Sequence, residues 1–439
     1  MTLRKKLFWI SVFYFAQGMP FGVVIDVLPV YFRQQGVSLT AIGMMGALTL
    51  PWTIKVLWSP ILDRFGQRRT WVTICGFVMA IAMFCVPLFD ASNPGLILWM
   101  LLLAFTVSSA TQDIAIDAFS VGIASKGEEG SINSIRAGVY RLGVLASGGA
   151  TMYMVAPLGW TWVFLGLSFA FAAMAVAALM SPSVPVVHQP AREWVKSFLA
   201  FLSRPGSIAV FAFVLIYRMD YVAMGPMIKP FWLDRGMTPA EIGTISTNVG
   251  MALGILGALL GGLFTSRFGI FNGLWILGIA QALPNLGYAA VAQFNLGRPY
   301  LYAASMGESF GAGLVTAAFL SFLMRISDKR QAATQYALLT ALYALPRSLI
   351  APLGGKVADL WGYPTFFFLT FLLAIPAYAL LPWVYRWIGP NGRHRGGAEA
   401  DVAAGEAAGG DADDSAPSDS GDSRGPAGPG RRPASVAAR

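Results

Sequence analysis

What most constrains this chain is a succession of apolar runs recurring as far as Arg386. Each approaches the roughly 20 residues a helix needs to cross a hydrocarbon core. They place spans over residues 8–30, 41–62, 71–89, 96–122, 132–156, 160–180, 207–232, 241–265, 271–292, 299–324, 333–356 and 363–387. A membrane barrel would instead alternate polar and apolar residues in segments of about 10, a pattern this sequence lacks. Only 12% of its 439 residues are charged, against roughly a quarter in soluble domains, which excludes a soluble globular chain. The expectation is an all-α membrane protein with twelve transmembrane helices.

The formal charge of +9 raises the question of nucleic acid, but the cations fall in alternate short loops rather than along a stripe interleaved with aromatics. Arg4, Lys5, Lys6, Arg64, Arg68, Arg69, Lys126, Arg192, Lys196, Arg204, Arg267, Lys329, Arg330, Arg386 and Arg393 share one side, and chiefly Arg33, Arg235 and Arg298 the other. The positive-inside rule then puts both termini and the central loop in the cytoplasm, with the lipid bilayer as partner and no nucleic acid. The basic start, Met1–Lys6, leads into a stretch holding Gln17, Pro20 and Asp26 with no small-residue cleavage site; it reads as a retained first helix. Cys75 and Cys85 lie in one apolar span and form no disulfide framework.

An internal repeat divides the chain. Phe32, Gly36, Val37, Ile42 and Gly43 return as Trp232, Gly236, Met237, Ile242 and Gly243; Asp63-Arg64-Phe65-Gly66 returns as Ser266-Arg267-Phe268-Gly269; Arg141 with Gly148-Gly149 returns as Arg347 with Gly354-Gly355. Order and direction are kept, as in a duplicated six-helix bundle with its site between the halves. The expected organisation is a first bundle over 1–180, a central loop over 181–206 carrying Pro182, Pro185 and Pro190, a second bundle over 207–388 and a tail over 389–439. The tail is too poor in apolar residues to offset the entropy of ordering, so disorder is expected.

Ionisable residues inside the spans are the strongest functional signal: Asp26, Lys55, Asp113, Asp117, Arg141, Arg218, Asp220, Glu308 and Arg347. Each would cost about 3 kcal/mol facing lipid, so they are expected to face one another or a wet cavity. Asp113 and Asp117 are four apart, on one helix face, where two carboxylates can share a proton; with Glu308 they are the proton-coupling candidates, against the plainer reading that Asp117 pairs with a loop arginine. Arg141 and Arg347 occupy equivalent repeat positions and either clamp a carboxylate or phosphate or hold helices together through buried salt bridges. Lys55 lies near the polar end of its span, where snorkelling competes with a substrate role, and Arg218 and Asp220 either satisfy each other or touch substrate. Asp63, Arg64 and Arg68, with the weaker copy at Arg267, suit a latch that bridges helices in one state, with a bare topology signal as the alternative.

Two enzyme patterns fail. Gly307-Glu308-Ser309-Phe310-Gly311 matches a serine-nucleophile spacing but lies inside an apolar span, and the two histidines, His188 and His394, are in the central loop and tail. No phosphate-binding loop and no ligand-spaced Cys/His cluster occurs, so no cofactor, metal or ATP motor is expected.

Phe13-Tyr-Phe-Ala-Gln-Gly-Met-Pro20, Lys55-Val-Leu-Trp-Ser-Pro-Ile-Leu-Asp-Arg64, Thr111-Gln-Asp-Ile-Ala-Ile-Asp-Ala118, Tyr140-Arg-Leu-Gly143 with Ser147-Gly-Gly149, and Ala333-Thr-Gln-Tyr-Ala-Leu-Leu339 with Arg347 together resemble the AmpG-type muropeptide permeases. These belong to the peptide and acetyl-coenzyme A transporter branch of the major facilitator superfamily. The resemblance runs from about Phe8 to Phe368 and implies a major facilitator fold that imports anhydromuropeptides with a proton across the bacterial inner membrane. It also implies that Asp113, Asp117, Lys55, Arg141, Gln335 and Arg347 lie on the transport path; Asp220, where the family's usual Gly-Asp pair is absent and the acid falls one position early, is a substrate candidate by its place in the span alone. Another large anionic solute, such as acetyl-coenzyme A, is the competing cargo, and a non-transporting membrane receptor the competing class.

Overall fold

The computed structural model describes residues 1–64, 67–123, 125, 128–183, 206–326 and 332–388, and all of these belong to one compact unit, Met1–Pro390. Most of the central connection and the whole tail expected from the sequence lie outside the described residues, as do the side chains of Asp63, Arg64 and Gln335.

Among the described residues every regular element is helical, and nine helices are long and apolar enough to cross a membrane. Two of these, Ile135–Leu179 and Leu345–Tyr385, are each broken by a left-handed glycine, Gly159 (φ 78°) and Gly362 (φ 75°). A side chain there would be strained, and each glycine ends one segment and begins the next. A further segment, 39–64, alternates α-helical and 3₁₀ turns around Pro51 and Lys55. The segments are numbered α1 (Leu3–Gln34), α2 (39–64), α3 (Arg68–Leu88), α4 (Leu96–Ile123), α5 (129–158), α6 (160–179), α7 (Ser207–Asp234), α8 (Pro239–Phe268), α9 (Ile270–Gln293), α10 (Arg298–Ile326), α11 (332–361) and α12 (363–388).

Packing follows the duplication. α1 lies on α5 and α3 on α4 and α6, while α8 and α9 lie on α10. The halves meet along three seams: α2 with α11, α5 with α8, and α1 with α7. Repeat-related glycines make the first two seams close. A Cβ on Gly43 would stand 2.8 Å from the Gly355 Cα, and one on Gly243 would stand 2.8 Å from the Gly149 carbonyl oxygen. Gly43 and Gly243 are repeat mates, as are Gly149 and Gly355, so the same contact occurs once at each seam.

The apolar core shows where the halves join. Toward the α1–α2 turn a single buried cluster runs through both, with Val23, Phe32 and Met45 from the first half beside Met224, Trp232 and Phe366 from the second. Toward the termini the core divides into one cluster of Ile10, Phe13 and Phe119 and another of Phe213, Phe319 and Leu381. The described part of the molecule is therefore sealed at the α1–α2 end and split at the termini end. Its outer faces carry exposed apolar side chains such as Phe169, Leu259 and Leu263, the surface a lipid environment would cover.

Candidate functional site

In the first half, α4 presents its two carboxylates one turn apart, and each has its own cation. Lys55, on a 3₁₀ turn of α2, donates to Asp113 Oδ2 at 3.3 Å. It is turned inward rather than toward the membrane surface. Asp117 Oδ1 accepts from the Tyr14 hydroxyl at 2.6 Å and from Arg136 Nη2 at 3.0 Å, and the same guanidinium lies 4.7 Å from the Tyr14 ring centre. The two acids are thus held to separate partners instead of facing each other.

The second half is arranged differently. α7 is interrupted at Tyr217–Arg218, so Arg218 stands at the start of a half-helix whose first turn carries Asp220. Discontinuous helices of this kind line sites in membrane carriers. Arg218 donates to the Thr316 and Tyr343 hydroxyls, both at 2.9 Å, and its guanidinium lies 4.6 Å from the Tyr221 ring centre. Asp220 is bonded by the Gln281 amide at 3.2 and 3.4 Å rather than by its neighbour Arg218. Among the described residues Glu308 receives only the Ser309 hydroxyl, at 3.3 Å, although Arg218 and Lys229 are near enough to act on it electrostatically.

Between the halves Arg347 of α11 reaches across to α1, its guanidinium 5.4 Å from the Phe21 ring centre. Phe21 in turn packs against Trp52, at 5.9 Å edge to face, and Tyr140, at 6.3 Å. No carboxylate among the described residues pairs with Arg347, nor with its repeat mate Arg141, which is exposed. Of the expected latch, Arg68 at the start of α3 bonds the Leu62 carbonyl of α2 at 2.9 Å, and Arg267 lies over its neighbour Phe268.

A buried cation at the seam was missing from the sequence reading. Lys229 of α7 pairs with Asp26 of α1, across the halves, and also donates to the Thr247 hydroxyl at 3.3 Å. The signal was a lysine within an apolar run, obscured by its place three residues from the end of the span expected over 207–232.

Comparison with known proteins places this architecture. The model of the Major Facilitator Superfamily matches residues 10–351. The chain belongs to that superfamily. As a superfamily member it is a multi-pass membrane transporter and not an enzyme. It is 30% identical over 392 residues to an uncharacterized protein of Haemophilus influenzae, covering 84% of this chain and 92% of that one. It is 29% identical over 381 residues to the anhydromuropeptide permease of Escherichia coli (strain K12), covering 84% of this chain and 77% of that one. The solved structure of a bacterial homolog of the human lysosomal transporter Spinster, inward-facing and unoccupied, superposes with a TM-score of 0.74 at 13% identity, over 90% of this chain and 99% of that one. That likeness concerns the fold. The relatives make this superfamily member close to the AmpG permeases, as the sequence motifs suggest.

Proposed function

We propose that this transporter carries anhydromuropeptides into the cytoplasm across the bacterial inner membrane, driven by a proton gradient, through alternating access of its two bundles. The observation that carries the cargo class is the pair of guanidiniums without a carboxylate among the described residues: Arg347 over the Phe21 ring, which packs on Trp52 and Tyr140, and Arg141, next to Tyr140 in sequence. An anhydromuropeptide offers the complementary chemistry: sugar rings to lie on aromatic faces and carboxylates for arginine to grip. Its name also belongs to a relative aligned over most of this chain.

In this reading the bundles span 1–180 and 207–388, joined by the 181–206 loop and followed by the 389–439 tail, with both termini cytoplasmic. The sealed α1–α2 end is then periplasmic and the split end opens inward. Proton coupling falls to carboxylates on the path, Asp113, Asp117 and Glu308, and the absence of a cation bonded to Glu308 among the described residues makes it the foremost of these. Lys55, Gln335 and Asp220 complete the substrate contacts, and the turn holding Asp63, Arg64 and Arg68, with Arg267, gates the cytoplasmic mouth. Protonation changes the balance of charges between bundles, substrate binds between them, and the bundles rock about it.

The test is uptake of labelled anhydromuropeptide into proteoliposomes with and without an imposed proton gradient. Gradient-dependent accumulation is expected. Accumulation of acetyl-coenzyme A instead would reject the cargo, and binding with no transport of either would favour a receptor.

A further inference from the structure

The α1–α7 seam carries charges of alternating sign. α1 holds Asp26 and then Arg33; α7 holds Lys229 and then Asp234. The inner pair, Asp26 with Lys229, is buried, its side chains 7% and 9% exposed. The outer pair, Arg33 with Asp234, is bidentate at 2.6 and 2.7 Å, about a quarter exposed, and is joined by the Tyr363 hydroxyl at 2.7 Å. Sliding one helix along the other by the spacing between pairs would set Asp26 against Asp234 or Lys229 against Arg33. The pattern therefore fixes one register for the closed seam.

Three π-helical turns converge on the inner pair. Val23–Val27 carries Asp26 itself. Leu145–Ala150 of α5 brings Gly148 so close that a Cβ there would overlap the Asp26 carboxylate. Ile242–Val249 of α8 supplies the Thr247 hydroxyl to Lys229. Such wide turns are rare in helices and collect at functional sites. Here they bring α1, α5 and α8 to one point, where α7 adds the lysine and the halves touch.

We propose that Asp26 and Lys229 are transport residues beyond those of the solute path: the inner lock of the α1–α2 mouth, bonded while it is shut and parted when it opens. Arg33 and Asp234 form a weaker outer lock in solvent. The proposal rests on the alternating-access reading, since only a carrier needs that mouth to open. A buried pair robbed of one partner leaves a stranded charge that favours the open, wetted seam, whereas an exposed pair contributes little.

The experiment reads the mouth directly and needs no solute. Cysteines at the exposed positions Gln35 and Leu360, in opposite halves, are spin-labelled in a chain carrying Cys75→Ala and Cys85→Ala, and their separation is measured by pulsed electron resonance in lipid nanodiscs. Asp26→Asn and Lys229→Met are each expected to add a second, longer-distance population of tens of per cent. The exchange Asp26→Lys with Lys229→Asp is expected to restore the single short distance, and Arg33→Ala to shift the populations several-fold less than either inner variant. Single variants with an unchanged distribution, or an exchange as open as the single changes, would overturn the lock. Should the single variants fail to insert, the exchange alone decides by whether its short distance predominates. Wild-type uptake of anhydromuropeptide stands or falls separately.

Discussion

Asp113 and Asp117 on α4 each have a cation at 3.3 Å or closer, whereas Asp220 on α7 and Glu308 on α10 have an amide and a hydroxyl. The two halves echo each other in sequence, yet they provide for these acids, of which Asp117 is partly exposed and the other three buried, in different ways. Paired charges in low dielectric hold each other in place, because separating them strands both. Acids bonded by neutral groups lack that constraint, and their proton inventory can change without breaking an ion pair. The first half thus secures these acids with ion pairs, and the second with neutral hydrogen bonds. In the proposed function, Arg347 and Arg141, which pair with no carboxylate among the described residues, grip the anionic solute.

The largest expected effect would break this contrast outright. Asp113→Asn strands the partly buried Lys55 and should lower stability by about 2–3 kcal/mol, read as a denaturation midpoint in detergent. Glu308→Gln keeps the size and hydrogen-bonding capacity and should cost under about 1 kcal/mol, while abolishing gradient-driven accumulation in proteoliposomes. Equal destabilisation by both changes would remove the contrast between bundles.

A middle-sized effect sharpens it. Arg347→Ala removes a cation with no acid to strand, so the melting temperature should hold while uptake efficiency falls by about tenfold or more, the loss expected for a hydrogen bond to a charged group. Arg347→Lys should fall between, since an ammonium lacks the planar fork. A large thermal loss with unchanged KM would make Arg347 a structural residue.

The smallest effect concerns the termini end, where Lys6 donates to Glu128 at 2.7 Å. That bond, with the Ser125 backbone N–H, holds the Glu128 carboxyl below the usual glutamate range. A depressed value stabilises the folded chain above the ordinary glutamate value of about 4.3 and loses that contribution as pH falls through the folded value. Glu128→Gln should therefore lower the melting temperature by no more than about 2 °C at pH 7. The gap should narrow as pH falls beneath the ordinary glutamate value and close once it has passed the depressed folded value, and a gap unchanged by acidification would assign it to something other than this ion pair.

Much was readable before any coordinates. Apolar runs gave the helical class, because a lipid interior leaves the backbone no partner but itself, and the glycine echoes marked positions that lie at the seams. The cost of charge in hydrocarbon singled out Asp113, Arg218, Asp220 and Glu308, all of which are buried. Partners were another matter. That Lys55 turns to Asp113, that Asp220 takes Gln281 rather than the adjacent Arg218, and that Lys229 crosses to Asp26 depend on which helices become neighbours.

The sequence by itself determined that the chain is helical, duplicated and intolerant of unpaired charge, since hydropathy, repeat spacing and desolvation are properties of residues in order. Only the tertiary structure decided who pairs with whom and which end is sealed. Those follow from distances between segments some 200 residues apart, such as α1 and α7, and a hydrogen bond across that gap leaves no mark on local pattern.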